Sequence, residues 1–213
     1  MANRRSDTVF SDSLPARVLA GFAAVDRTAP DRFLLRLAAA GIPHERRRHE
    51  PARHARHLAA IWSVALHIAG RATLFYADGA AALAVVPADR KVAAPRLRNL
   101  LGASDLRVLR GDRGVGRVGW RGLPGEPGAL PAIPDTFHAR CLVDELVLNS
   151  PRLVISVDAG RSVALAPADY VRVVGAETAR FVGATRLLPG GGMVTEGGES
   201  HFVPTSPKRR GDE

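Results

Sequence analysis

Cysteine is almost missing from this chain: Cys141 is the only one in 213 residues. That excludes an internal disulfide framework and fits a reducing, cytoplasmic compartment. Aromatic residues make up 5%, and no apolar run reaches the roughly 18 residues that a membrane span needs. The N-terminal MANRRSDTVFSDS has no apolar segment behind it, so no secretory signal is expected. Lysine is scarce too. Lys91 and Lys208 are the only two among 30 basic residues, and the other 28 are arginine.

The composition that remains is 46% hydrophobic, that of an ordinary globular protein long enough for one domain with a real core and short for two. Net charge is +9 and the pI about 11.1, which points toward a polyanionic partner. A composition bias toward arginine, spread over the surface, explains the same numbers equally well. The basic residues nevertheless cluster in ERRRHEPARHARH (45–57), which holds Arg46, Arg47, Arg48, Arg53 and Arg56 against two glutamates. Guanidinium groups at that density favour forked, charge-assisted contacts to phosphate.

Hydrophobic spacing predicts helices over 13–26 and over TAPDRFLLRLAAAG, the latter with Pro30 in its first turn and Gly41 at its end. IPHERRRH reads as a strand with a basic outer face, and HARHLAAIWSVALHIAG (54–70) as one long helix ended by Gly70. RATLFYADGAAALAVVPADRKV is a hairpin turning at Asp78-Gly79, its strands apolar enough to be covered on both faces. A short helix at 94–102 and a strand at 106–110 follow. Beyond them, 140–148 and 152–160 read as strands, SVALAPADYVRVVG as a strand and a helix opened by Pro167, and ETARFVG as a last strand. Residues 1–12 read as a disordered arm, 13–188 as a single domain and 189–213 as a low-complexity tail. Helices and hairpins mixed in this way predict an α+β fold, with a compact mixed-sheet, barrel-like core flanked by helices.

Few motifs carry chemistry on their own. GVGRVG (114–119) matches the glycine pattern of dinucleotide sites, but WRGLPGEPG after it cannot form the helix that would hold a pyrophosphate. His44, His49, His54 and His57 fall close together, yet no His-x-x-x-His pair occurs and five arginines would repel a cation, so no metal is expected. Cys141 opens an apolar run and reads as a small buried hydrophobe. GLPGEPGALPAIP (122–134) packs three glycines and four prolines into thirteen residues. It is either a slack linker or a stiff loop, and ordered stretches on both sides favour the loop.

Taken in order, DRFLLRLAAAGIPHERRRHEP, GRATLFYADGAAALAVVPADRKV, RLRNLLGA, GLPGEPGALPAIP and CLVDELVLNSPRLVISVDAGRSVALAPADYVRV resemble the YbaK/EbsC family over about residues 30–183. These are stand-alone aminoacyl-tRNA editing domains related to the insertion domain of bacterial prolyl-tRNA synthetase. The resemblance implies hydrolysis, in trans, of the ester joining a wrong amino acid to the tRNA 3′-end, without cofactor, metal or covalent intermediate. It implies tRNA as partner, through its aminoacyl-adenosine end, with an aminoacyl-tRNA synthetase as a further candidate. The glycine/proline loop matches at Gly125 and Gly128, whose amides would face the carbonyl, with Ala129, Leu130 and Pro131 beside them. Asp144 and Gly160 match family positions, Asp158 stands where asparagine is common, His49 matches a histidine, and His54 replaces a threonine. A family lysine that positions the substrate's 3′-end falls at Arg71 or Ala72, Arg71 being the better alignment. The resemblance therefore assigns Arg71, Gly125, Gly128 and Gly160 to catalysis. It gives substrate binding to His49, His54, Ala129, Leu130, Pro131, Asp144 and Asp158, and the arginines of 46–56 would contact tRNA. The alternative is a descendant of the same fold that binds tRNA or a partner without turnover.

Overall fold

The computed structural model describes residues 25–108, 129–187 and 193–195. The predicted helix over 13–26 lies almost wholly outside these residues, as do the 1–12 arm, GVGRVG, and the loop positions Gly125 and Gly128.

Helix α1 (Ala29–Ala39) starts with proline in its first turn and ends before Gly41, as its sequence predicts, and buries Phe33 and Leu37. Strand β1 (His44–Arg48) leads through residues 49–54 into α2 (Ala55–Ile61). The expected 54–70 helix is thus too long. It stops at Ile61, Ser63 turns out of it with φ +52°, and a short 3₁₀ turn at Leu66–Ile68 delivers Gly70 into the sheet. Apolar periodicity persists through this stretch, but Trp62 and Ala69 are each committed to partners distant in sequence, Ser162 and Val154.

Strands β2 (Gly70–Ala77) and β3 (Ala80–Pro87) form the predicted hairpin, with Asp78 and Gly79 both at positive φ in the turn. β4 (Arg90–Val92), α3 (Ala94–Leu101) and β5 (Leu106–Val108) follow. The expected strand over 140–148 is half strand and half helix. β6 (Arg140–Asp144) gives way to α4 (Glu145–Leu148) because the Asp144 carboxylate caps it, accepting from Leu146 N–H at 3.0 Å. β7 (Leu153–Ser156), β8 (Arg161–Leu165) and α5 (Pro167–Val174) complete the predicted order. ETARFVG holds two strand starts rather than a final strand: β9 (Glu177–Ala179) and β10 (Val182–Leu187). β11 (Met193–Thr195) pairs with β10 within the stretch that reads as low-complexity tail.

The central sheet runs β5-β2-β3-β6-β9, antiparallel on the hairpin side and parallel at β3-β6 and β6-β9, so the α+β mixed-sheet expectation holds. A second sheet, β1-β8-β7, and a third, β11-β10-β4, flank it. One face of the hairpin carries Leu74, Leu83 and Val85 into a core shared with α1, β7, β8 and Tyr170. The other face carries Phe75, Ala84 and Val86 toward Leu97 of α3 and Phe181. Both faces are covered, as the apolar runs predict. β7 crosses so close to β2 that a Cβ on Gly70 would meet Ile155 and Leu153 methyls at 3.1 Å. Glycine there lets the two sheets approach without displacing those methyls.

Candidate functional site

The β1–α2 connection is stitched to two other segments, and the stitching makes the site. His49 N–H donates to the Gly160 carbonyl at 2.9 Å, and Ala52 N–H to the Ala159 carbonyl at 3.1 Å. On its other side the Ala52 carbonyl accepts from Ala129 N–H at 2.5 Å. The 129–132 segment is held in turn by Ala132 N–H to the Ser156 carbonyl at 3.0 Å and by Tyr170 Oη to the Ala132 carbonyl at 2.7 Å. Ala129, Pro131 and Ala132 are buried. The described end of the glycine/proline loop is therefore held on both sides, while residues 122–128, on which the stiff-loop expectation chiefly rests, lie outside the described residues.

The turn between β7 and β8 forms the facing wall. Val157 and Asp158 N–H groups both donate to the Arg161 carbonyl, while the Asp158 carboxylate accepts from Gly160 N–H at 3.0 Å and from Arg161 Nε at 2.5 Å. Asp158 thus shapes this turn from within. A Cβ on Gly160 would stand 3.2 Å from the His49 carbonyl, so a larger residue here would push the two strand ends apart by a few tenths of an ångström.

His49 is oriented through both ring nitrogens. Nδ1 lies 2.8 Å from the Glu50 carbonyl, which can only accept, so Nδ1 carries the proton. Nε2 then accepts from the Ser162 hydroxyl at 2.9 Å, and Ser162 Oγ accepts from the Trp62 indole N–H at 2.7 Å. The direction of this relay is assigned from complementarity of donors and acceptors. Ser162 and Trp62 are buried, so Ser162 positions His49 and has no exposed oxygen to act as a nucleophile. Over the Trp62 ring lie Arg47 at 4.2 Å and Arg152 at 5.1 Å, and both guanidinium groups also engage Glu45. Glu45 is consequently held below the ordinary carboxylate range, Arg47 being the largest cause. Trp62 and Ser162 were not singled out from the sequence. Their contact spans 100 positions, and no local pattern signals it.

Other predicted residues lie apart from this cluster. Asp144 is fully buried, and besides capping α4 it accepts from Phe181 and Val182 N–H at 2.7 and 2.9 Å. His54 is exposed and caps α2 by accepting from His57 N–H. Arg53 and Arg56 sit at the start of α2, next to His54. Arg71 pairs in register with Val86, so it leaves β2 on the Phe75 face, whereas Leu130 and Ala132 pack on the Leu74 face. Its Nε is buried with no hydrogen-bond partner among the described residues. Burial pulls its pKa down, Arg56 adds to that and Asp89 opposes it. Ala72, the other candidate for the family lysine, packs against the Leu74 side. Cys141 is buried as expected, its thiol pushed up to about 12 mainly by desolvation. Among the described residues no group of three or more His, Cys, Asp and Glu could hold a metal ion, and no helix is long and apolar enough to cross a membrane.

The fold recurs in solved structures. One is described as a candidate trans-editing enzyme for prolyl tRNA synthetase, with TM-score 0.56 at 17% identity over 72% of this chain and 96% of that one. A hypothetical protein matches with TM-score 0.57 at 18% identity over 68% and 95%. Part of a candidate signal transduction protein from Marinobacter aquaeolei VT8 matches with TM-score 0.51 at 17% identity, covering 80% of this chain and 31% of that one. No curated protein matches the sequence. The model of the aminoacyl-tRNA editing domain family matches residues 49–173, a span that opens at His49, takes in the 129–132 segment and the 157–161 turn, and ends in the last turn of α5. With more than half its length so matched, the chain belongs to the aminoacyl-tRNA editing domain family, the one its sequence resembles.

Proposed function

We propose that the protein is a trans-acting deacylase that hydrolyses the ester between a wrong amino acid and the 3′-end of a tRNA. The observation that carries this reading is the convergence of the anchored 129–132 segment, the Gly160 turn and the oriented His49 ring on the β1–α2 connection. In this reading water attacks the ester carbonyl, the C–O bond to the ribose breaks, and the products are the free amino acid and a tRNA with its hydroxyl restored. Amides of Gly125 and Gly128, in the loop leading into Ala129, stabilise the oxyanion that develops. Arg71, on the sheet face away from the 129–132 segment, does not meet the ester in this reading but holds a phosphate of the 3′-terminal nucleotides through its fixed positive charge. The enzyme works in the cytoplasm and draws its substrate from a synthetase that mischarges.

The test is release of amino acid from a panel of mischarged tRNAs by the full chain. Hydrolysis of at least one pair is expected, and no release above background by folded protein would refute the enzyme. A second reading, a tRNA-binding protein without turnover, is favoured by the placement of Arg71 beside Arg56 on the sheet face away from the 129–132 segment. It predicts salt-dependent tRNA binding with no hydrolysis of any pair.

A further inference from the structure

The HERRR strand carries two different chemistries on its two faces. Arg47 lies opposite Ser162 in register and is spent on Trp62 and Glu45. Arg46 lies opposite Val163 and Arg48 opposite Arg161, so both leave the other face of β1, toward α1. There they line an open groove of about 340 Å³ together with Leu34 of α1, Val157, Arg161, Ser162, Val163 and Arg47, whose guanidinium group is however drawn onto the Trp62 ring at 4.2 Å. Both arginines are exposed, and neither has an ion-pair partner among the described residues. The carboxylates carried by the surrounding elements are already taken. Asp31 and Asp158 share Arg161, and Glu45 holds Arg47 and Arg152. Two uncompensated arginines, whose backbone positions are about 6.6 Å apart at two residues' rise along the strand, therefore face this groove. β1 is the edge of its sheet, and His49 of the candidate site follows Arg48 directly.

We propose that this groove between α1 and β1 docks the sugar–phosphate backbone of the RNA acceptor arm, Arg46 and Arg48 each neutralising one phosphate, and that Arg47 makes no RNA contact. The proposal rests on the tRNA-directed reading above and adds the track by which the strand reaches the pocket. Guanidinium forks match phosphate geometry, and two residues of like sign on alternate strand positions can grip successive phosphates of one strand. An RNA laid there runs past the Gly160 turn to His49.

The test is binding of uncharged tRNA to the full chain across a salt series, for wild type, Arg46→Ala/Arg48→Ala, Arg46→Lys/Arg48→Lys and Arg47→Gln. Each lost phosphate contact lowers the slope of log affinity against log salt by about 0.9 for a duplex. Between 50 and 200 mM salt, wild type is expected to lose about tenfold more affinity than the double alanine variant. The lysine pair should restore the slope and Arg47→Gln should leave it unchanged. An unaltered slope in the double alanine variant, or an equal fall in Arg47→Gln, overturns the groove assignment. Hydrolysis of mischarged tRNA by the wild type is read beside it. Turnover with an unaltered slope removes the groove alone, while a reduced slope with no turnover on any substrate supports the groove and refutes the deacylase.

Discussion

Replacing Ser162 by alanine removes one oxygen that serves two partners, the Trp62 indole N–H at 2.7 Å and His49 Nε2 at 2.9 Å. Trp62 is 3% exposed and Ser162 1%, so no water can take over the indole donor. A buried donor left without an acceptor costs about 1–3 kcal/mol. His49 is only half-buried and recovers its bond from solvent, so a loss near 2 kcal/mol is expected from the tryptophan side. For a chain of this length that lowers Tm by about 4–8 °C. Thermal unfolding followed by circular dichroism reads the shift directly. A cycle with Trp62→Phe isolates the bond. Both single variants break it, so the double variant should fall short of the sum by about 1 kcal/mol. A Tm within about 1 °C of wild type, or an additive cycle, would refute the relay as described. Deacylation well below Tm should also fall in Ser162→Ala, because the imidazole keeps its tautomer through the Glu50 carbonyl but loses the second partner that fixes its tilt.

Asp144→Ala leaves three backbone donors, from Leu146, Phe181 and Val182, without their carboxylate, and should cost about 3 kcal/mol or more, read as a lower urea midpoint at unchanged slope. The buried Cys141 thiol holds its proton up to about 12 and Tyr170 stays protonated well above its ordinary range. Both folded values exceed the unfolded ones, so the associated stability is intact at neutral pH and falls as pH climbs from about 9 toward 12. Cys141→Ala should flatten part of that alkaline loss in a pH series of denaturation midpoints, and an unchanged profile would contradict it. Arg71→Met removes a half-buried guanidinium whose Nε has no acceptor among the described residues, so Tm should hold or rise while release of amino acid from mischarged tRNA falls. A Tm lower by more than about 5 °C would mean that Arg71 is held for stability instead.

The sequence by itself determined the elements whose causes are local. Asp78-Gly79 fixes the hairpin because both turn residues take positive φ, proline opens α1 and α5, and glycine follows the ends of α1 and α3. The two-sided burial of β2 and β3 was legible in their unbroken apolar runs. The order of motifs also carried the family, since it survives where single residues drift. Only the tertiary structure decided where α2 stops, because Trp62 leaves the helix to reach a hydroxyl 100 positions away. It also decided that Asp144 pins Phe181 and Val182 in place, and that Arg71 and the 129–132 segment belong to opposite faces of one sheet. Strand parity is set by register with a neighbouring strand, and register is fixed by pairing between segments that are not adjacent in sequence. The same parity splits Arg46 and Arg48 from Arg47, three identical side chains in a row that the fold sends to a groove and to a tryptophan.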